Sequence, residues 1–384
     1  MSADMRNGAM HHADVHHMEH ALELAARGLY TTDPNPRVGC VLVLGGEVVG
    51  EGWHVRAGEP HAEVLALRAA GVRARGATAY VTLEPCSHTG RTPPCADALI
   101  AAGVERVVCA ASDPNPKVAG AGIERLRAAG IAVTVDVLAS KARALNPGFF
   151  SRFERGRPFI RLKMAMSLDA RTTAAAGGTT IITDEASRAD VQTWRARSSA
   201  VLTGSGTVRI DDPRLDVRLA YDPWVRQPLR VVLDTELRCA PGSRIFAGGH
   251  ALIFAAPGVP GRAPLSIEVV RVPRSARGLD LAAVLAHLTA LEVNELLVES
   301  GPQLAAGFLE ASLIDELILY VAPIFLGADA APLTGLTGLG AATFRALPFG
   351  VPSFEFCDQR MLDRDLRLVL KRTPQARPTL TKEG

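Results

Sequence analysis

Short apolar runs alternate with helix-spaced segments along most of this chain, and that alternation restricts its fold more than any other feature. "MEHALELAARGL" (18–29) has helical apolar spacing and ends near Gly28. "VGCVLVLGGEVVGEGW" (38–53) reads as two strands joined at Gly45-Gly46, a hairpin signal. A helix from His61, a strand over 77–83, a helix opening at Pro93-Pro94, a strand over 105–111, a helix near 120–130 and a strand over 131–137 follow. Such a series predicts a mostly parallel sheet covered on both faces by helices.

Proline, glycine and several arginines interrupt the rhythm at "NPGFFSRFERGRPF" (146–159), where the domain boundary is placed. The pattern then resumes, with strands over 159–169, 200–204, 229–234, 295–300 and 317–325 and helices over 184–198, 280–291 and 302–311. A chain of 384 residues has room for two domains, each large enough to bury a core. The expected domains are 16–152 and 157–372, both α/β. "RTPQARPTLTKEG" (372–384) lacks core-forming residues and is expected to be disordered.

The 42 basic residues against 40 acidic ones give a charge of +2, and no basic tract tracks a phosphate backbone, so nucleic acid is not an expected partner. Small anionic substrates remain open, since one or two arginines suffice for them. The N-terminus lacks an apolar signal-peptide core, and the longest apolar candidate, "ELILYVAPIFLG", is too short for a membrane span and contains proline. Six cysteines in such a chain point to the reducing cytoplasm rather than to a disulfide framework.

The chemistry concentrates in "PHAEVLAL" (60–67) and "LEPCSHTGRTPPCADAL" (83–99). His61 and Glu63 are two apart, so they do not share a helix face. At a helix start, though, both can reach an object lying off its end. Cys86 follows a proline and Cys95 follows two, each near a predicted helix start, where partial positive charge favours the thiolate that a metal requires. One imidazole and two thiolates suit zinc, and three protein ligands leave the fourth tetrahedral position for water, whose pKa zinc can lower to about 7. Glu63 would then carry protons between that water and a leaving amine. H-x-E alone is commonly a solvated helix turn, and Cys-x8-Cys alone is wider than zinc ribbons prefer. Joined in this order they match the zinc-deaminase pattern.

These residues resemble the cytidine-deaminase-like superfamily. "DPNPRVGCV", "GWHVRAGEPHAE", "VTLEPCSHTGRTPPC" and "SDPNPKVAGAGI" further resemble the deaminase half of the bifunctional riboflavin-biosynthesis deaminase/reductase family. "LKMAMSLDART", "TGSGTVRIDDPRLDVR", "VESGPQLA" and "ILYVAPIFLG" resemble its reductase half, and the likeness runs from about Glu19 to Lys371. It implies an N-terminal cytidine-deaminase-like three-layer α/β/α domain and a C-terminal dihydrofolate-reductase-like α/β domain. It also implies zinc-dependent removal of an amino group from a diaminohydroxy-(5-phosphoribosylamino)pyrimidine, then NADPH reduction of the product's ribose to a ribityl chain. His61, Cys86 and Cys95 would hold one zinc, with Glu63 as proton carrier. Asn35, His54, His88, Arg91 and Asn115 would contact the deaminase substrate, amides and imidazoles reading the pyrimidine edge and Arg91 pairing with phosphate.

In the reductase half the resemblance turns two loops, "TGSGT" (203–207) and "GPQLAAG" (301–307), toward the cofactor. The first lacks the third glycine of a Rossmann fingerprint, with Arg209 in its place, whereas the second opens a helix after a buried strand, a favourable site for pyrophosphate. Thr207, Asp211, Thr235, Ile181, Gly301, Pro302, Gln303, Leu304, Ala305, Ala306 and Gly307 are the expected cofactor contacts. Lys163, Thr179, Arg195, Leu215, Arg218 and Glu299 are expected at the substrate, with Arg195 and Arg218 suited to a sugar phosphate. Asp211 and Glu299 are candidate proton donors. The chain departs from the family pattern at Ile181, in "GGTTIIT", where an aromatic residue is common, and at Ala170, where glycine is usual. The resemblance also implies a homo-oligomer.

Two other readings compete. One is a nucleoside or tRNA deaminase fused to an unrelated dehydrogenase, against which the near-neutral charge speaks. The other is a structural zinc domain joined to a nucleotide sensor, for which a carboxylate beside an open coordination position has no use. His11, His12, His16, His17 and His20 are read as a solvated, partly disordered lead-in, Cys40, Cys109, Cys239 and Cys357 as small buried residues in strands, and Trp53 and Trp194 as packing residues.

Overall fold

The structure, a computed structural model, describes residues 3–87, 94–174, 180–219, 225–260, 267–336 and 353–373, with the side chains of 3–11 left aside. It divides into two compact units, one of residues 1–158 with 222–226 and 291–294, the other of the remainder.

In the first unit the chain runs α1 (Ala3–Ala26), β1 (Gly39–Leu44), β2 (Glu47–Trp53), α2 (Ala62–Ala70), β3 (Thr78–Val81), α3 (Cys95–Ala102), β4 (Arg106–Cys109), α4 (Ala121–Ala128), β5 (Ala132–Thr134), α5 (Ala139–Leu145) and α6 (Pro147–Arg155). The sheet order is β2-β1-β3-β4-β5. The sequence predicts a mostly parallel sheet, but β1 is antiparallel to both β2 and β3, and only β3, β4 and β5 run parallel. The antiparallel β1–β2 pair is the hairpin expected at Gly45-Gly46, because so short a loop joins only antiparallel strands, and the departure lies in the β1–β3 pairing. Both glycines have positive φ, which the tight turn requires.

Two apolar clusters fill the two sides of this sheet. One joins Ala62, Ala66, Leu99 and Leu126 to Leu42, Val81 and Val107. The other joins Met18, Ala21, Leu24, Phe149 and Phe150 to Val41, Tyr80 and Val108. The N-terminal histidines are therefore not a disordered lead-in. They ride on α1, which buries Met18 and Leu24 and sets His17 against Tyr80 at 5.1 Å between rings. The side chain of His11 lies outside the described residues. Residues 147–155, read from sequence as a break, form α6, because Pro147 occupies the first turn, where its missing N–H costs nothing, and two phenylalanines bury.

The second unit runs β6 (Phe159–Ser167), β7 (Arg171–Thr173), α7 (Glu185–Arg197), β8 (Ala200–Gly204), α8 (Ser205–Asp211), β9 (Leu229–Leu233), β10 (Ala251–Ala255), β11 (Glu268–Arg271), the short β12 (Arg274–Ser275) and β13 (Gly278–Leu279), α9 (Leu281–Ala290), β14 (Glu295–Glu299), α10 (Pro302–Glu310), β15 (Glu316–Ala322), β16 (Ala331–Pro332), β17 (Phe354–Leu362) and β18 (Asp365–Arg372). Its main sheet has the order β11-β10-β9-β8-β14-β6-β15-β18-β17, parallel from β11 through β15 and antiparallel over the last two pairs.

Arg161 on β6, only 2% exposed, pairs with Glu295 on β14 and Glu316 on β15. A one-residue slip of either neighbour would leave buried charge unpaired, so the triad pins the register of three central strands. Trp194 packs among the guanidinium groups of Arg161, Arg197 and Arg367. Strands β10, β11, β17 and β18 were not read from the sequence. In β17 most side chains are exposed, which removes the apolar alternation that marks a strand. Cys40 and Cys109 are buried in strands as expected, but Cys239 is buried in a loop and Cys357 is exposed on β17. Residues 374–384 lie outside the described residues.

α2 rests directly on β2. A Cβ added to Gly52 would stand 2.5 Å from the Ala62 carbonyl oxygen and 2.7 Å from the Ala66 nitrogen, and one at Gly50 would stand 2.3 Å from the Ala66 carbonyl oxygen. Substituting Gly52→Ala is therefore expected to lift α2 and cost the first unit about 1–3 kcal/mol, the usual price of overpacking. Calorimetry should show this as an earlier first unfolding transition.

Candidate metal centre and reductase cavity

His61 is the N-cap of α2, with extended backbone, and Glu63 falls in the helix's first turn. Both side chains therefore work at the end of the helix rather than along a shared face. α3 opens at Cys95 after Pro94, and the backbone N–H of Cys95 donates to the Cys86 sulfur at 3.3 Å. Helix starts on α2 and α3 thus supply the imidazole and one sulfur, while Cys86, expected near a helix start, lies in the loop after β3; the donor atoms all fall within 4.8 Å of one another. His61 Nδ1 stands 3.2 Å from Cys95 Sγ and 3.7 Å from Cys86 Sγ. In a tetrahedral zinc site, bond lengths of about 2.3 Å to sulfur and 2.0–2.1 Å to nitrogen put these atoms about 3.6 Å apart. The donor set and its spacing fit zinc.

The electrostatics follow from the same contacts. The Cys95 side chain, with help from His61 and the Cys95 N–H, pulls the Cys86 thiol well below the usual thiol range against the opposing effect of burial. Its partner Cys95 is pushed up by the contact with Cys86 and by burial. Glu63 is 3% exposed, and burial raises its carboxyl above the usual range despite the nearby imidazole. It is placed to hold a proton or to give one up.

His54 extends the group. Its ring meets that of His61 edge to face at 5.3 Å, its Nε2 is 3.0 Å from Asn35 Nδ2, and its Nδ1 is 3.2 Å from the Pro60 carbonyl oxygen. Burial lowers its pKa, and its partners suit Nδ1–H donating to the Pro60 carbonyl and Nε2 accepting from the Asn35 amide. Asn115 sits in the loop after β4, its Oδ1 accepting from the Lys117 N–H at 3.1 Å. His88 and Arg91 lie outside the described residues.

In the second unit a cavity of about 630 Å³ opens beyond the carboxyl ends of β6, β8 and β14, where parallel α/β sheets collect ligands. Lys163, Arg195, Thr207, Asp211, Leu215, Glu299, Gly301, Pro302, Gln303 and Leu304 line it, as the sequence reading expects. Gly204 and Gly206 line it too, and a Cβ at Gly206 would meet no atom within 4 Å. The first turn of α10, opening at Gly301 and Pro302, offers backbone N–H groups to the same space. Backbone access and a helix start suit a dinucleotide phosphate.

Arg195 is not a surface charge. It grips both oxygens of Glu299, Nε to Oε1 at 2.6 Å and Nη2 to Oε2 at 3.0 Å. Burial by itself would raise the Glu299 carboxyl, but Arg195, together with Lys163 and Arg218, brings it below the usual range. So engaged, both Glu299 oxygens are committed to Arg195. Burial in turn lowers the pKa of Lys163.

Other expected contacts are not on the cavity wall. Ala305 and Ala306 are fully buried, because α10 leaves the cavity after its first turn, and Gly307 lies beyond them, toward Leu281. Thr235 sits past the end of β9 near Gly278. Ile181 is 76% exposed, and its neighbour Thr180 lines the cavity instead. Arg218 is exposed and pairs with Asp216 at 2.5 Å. Thr179 lies outside the described residues. Sequence reading missed Met164, Ala165, Thr172, Thr173 and Ser300 on the wall, although "LKMAMSLDART" contains the first three. Ala170 has φ +55°, which explains why glycine is usual there.

Comparison with known proteins followed the same division. Residues 11–111 match the cytidine and deoxycytidylate deaminase zinc-binding region, and residues 158–350 match the RibD C-terminal domain. The chain is 48% identical over 368 residues to the riboflavin biosynthesis protein RibD of Escherichia coli K12, covering 93% of this chain and 99% of that one. The structure of Acinetobacter baumannii RibD is similar with a TM-score of 0.87 and 43% identity, over 95% of this chain and all of that one. A Thermotoga maritima diaminohydroxyphosphoribosylaminopyrimidine deaminase/5-amino-6-(5-phosphoribosylamino)uracil reductase is similar with a TM-score of 0.82 and 32% identity, again over 95% and 100%.

Loss of one sulfur should break the centre, and loss of the carboxylate should not. Cys95→Ser is expected to lower bound zinc from one per chain to well under half, with Glu63→Gln retaining it, as measured by elemental analysis after dialysis.

Proposed function

This chain belongs to the RibD family of riboflavin-biosynthesis proteins, and from that premise we propose how its residues divide the two steps of a bifunctional deaminase/reductase. It is an enzyme of riboflavin biosynthesis, with a zinc-dependent deaminase domain and an NADPH-dependent reductase domain acting on small phosphoribosyl pyrimidines. The competing reading, a nucleoside or tRNA deaminase joined to an unrelated dehydrogenase, is not favoured, since single relatives match both halves together.

We assign the deaminase to 16–152 and the reductase to 157–372. His61, Cys86 and Cys95 would hold the zinc, which when bound would supply a water acidified to near-neutral pKa. Glu63 takes a proton from the attacking water and delivers it to the departing amino nitrogen, so that a C–O bond forms, the C–N bond breaks and ammonia leaves. Asn35, His54, His88, Arg91 and Asn115 hold the pyrimidine and its phosphate. His54 supports this role because its Nδ1 is held by the Pro60 carbonyl and its Nε2 in turn orients the Asn35 amide. One observation carries the reading: three soft donors at metal spacing with a buried carboxyl two residues from one of them.

In the reductase, NADPH when bound would supply the hydride that reduces the ribose to a ribityl chain. Thr207, Asp211 and the Gly301–Leu304 turn hold the cofactor, and Lys163, Arg195, Leu215 and Glu299 face the substrate, a division supported by their shared cavity. Thr179 and Arg218 complete the substrate set. The enzyme works as a homo-oligomer in the cytoplasm, a placement that six cysteines free of disulfides support. No helix among the described residues is long and apolar enough to cross a membrane.

Two separate sites make separable activities. Chelating the zinc is expected to abolish ammonia release while NADPH oxidation with the deaminated intermediate continues. Glu63→Gln should keep zinc and lose deamination by at least 100-fold, the scale of general acid–base catalysis. Loss of both activities on chelation, in a protein that remains folded, would rule the division out.

A further inference from the structure

Glu84 stands two residues before Cys86, yet no step of the chemistry uses it. It is 3% exposed, and both its oxygens are taken up by backbone N–H groups of one loop. Oε2 accepts from Asp113 at 3.2 Å and Gly120 at 3.0 Å, and Oε1 accepts from Gly122 at 2.9 Å and Ile123 at 3.2 Å. A carboxylate has about four acceptor sites, so its capacity is filled. Among the described residues no ion pair to Glu84 is found. Burying a carboxylate against neutral dipoles alone is costly, and it is tolerated only where each acceptor finds a donor.

The loop so held is 113–123, which contains Asn115. The Asp113 carboxylate accepts from the Asn115 N–H at 2.8 Å, while the Asn115 carbonyl accepts from the N–H groups of Val118 at 2.8 Å and Ala119 at 3.0 Å. Gly120 enters α4 in the left-handed region, and Gly122 and Ile123 carry N–H groups of its first turn, which have no partner within the helix. Glu84 caps that helix from outside. A Cβ on Gly122 would lie 1.9 Å from the Pro85 carbonyl oxygen, so the loop lies flush against the peptide that leads into Cys86. The Glu84 N–H in turn donates to the Ala111 carbonyl at 2.9 Å.

We propose that Glu84 is a positioning residue of the deaminase: its carboxylate locks the Asn115 loop against the turn bearing Cys86, and so fixes the substrate-reading amide relative to the metal centre. This rests on the reading that Asn115 contacts the pyrimidine. A Gln in this place is nearly isosteric but exchanges an acceptor for an NH2 group that would face two N–H donors. Asp keeps all the acceptors on a stem one methylene shorter.

The test is deamination kinetics on full-length zinc-loaded protein, with zinc content and the reductase rate as controls for an intact metal centre and a folded chain. Asn115→Ala is expected to raise the KM for the phosphoribosylaminopyrimidine at least ten-fold, and an unchanged KM would overturn the Asn115 reading itself. Glu84→Gln is expected to raise KM ten-fold or more with a smaller change in kcat, with one zinc per chain and an unchanged reductase rate. Glu84→Asp should recover part of that loss. In the double variant the two KM effects should combine to much less than their product, because both act through one contact. The proposal is overturned if Asn115→Ala raises KM while Glu84→Gln leaves it within two-fold, if the two effects multiply in full, or if both Glu84 variants lose zinc.

Discussion

Gly50 and Gly52 of β2 leave no room for side chains, because the backbone of α2 lies directly upon them through Ala62, Ala66 and Ala70. This approach between strand glycines and helix alanines fixes the height of α2 above the sheet. It therefore fixes where the first turn of α2 points His61 and Glu63. A second approach repeats it across the sheet, where a Cβ on Gly39 would stand 2.0 Å from the Ala21 carbonyl oxygen of α1. Few large side chains mediate these contacts, so little in them can yield without moving a helix. A catalytic carboxyl needs its position held to a fraction of an ångström, and backbone-to-backbone packing supplies that more firmly than long side chains can.

The two units solve a common problem in related ways. Both collect polar chemistry at the carboxyl ends of parallel strands, and both borrow the N–H groups of helix first turns. In the first unit, helix starts at His61 and Cys95 bring the metal-binding side chains together, and the start of α4 is itself held by a buried carboxylate. In the second, the start of α10 opens onto the cavity, and the Arg195–Glu299 pair with Lys163 sets its charge. Structural charge is kept apart from this: Arg161 and its two glutamates pin strand register from within the sheet.

Much of this was legible before any coordinates. The hairpin at Gly45-Gly46, the helix starts at His61 and Pro94, and the helix after "VESG" follow from local chemistry: positive φ, caps and proline at a first turn. The three ligand types were legible because zinc needs those donors, and Glu63 because a proton must move. The antiparallel β1–β3 pairing was not, since strand direction depends on which distant neighbour closes the sheet. The exposed strand β17 was illegible too, because an edge strand with little to bury carries no apolar alternation. The same limit hides that Ile181 is exposed and that Arg218 pairs locally with Asp216.

The sequence by itself carried the candidate zinc donors, the carboxyl beside them and the two α/β halves, because each is encoded by residue type at short spacing, whereas the loops expected at the cofactor follow from the family resemblance. Only the tertiary structure decided that Arg195 grips Glu299, that His54 bridges Pro60 and Asn35, and that Glu84 holds the Asn115 loop. Those are contacts between segments tens to a hundred residues apart. Local propensity has no information about them, and burial, which sets the charge state of each, exists only once the chain has closed around it.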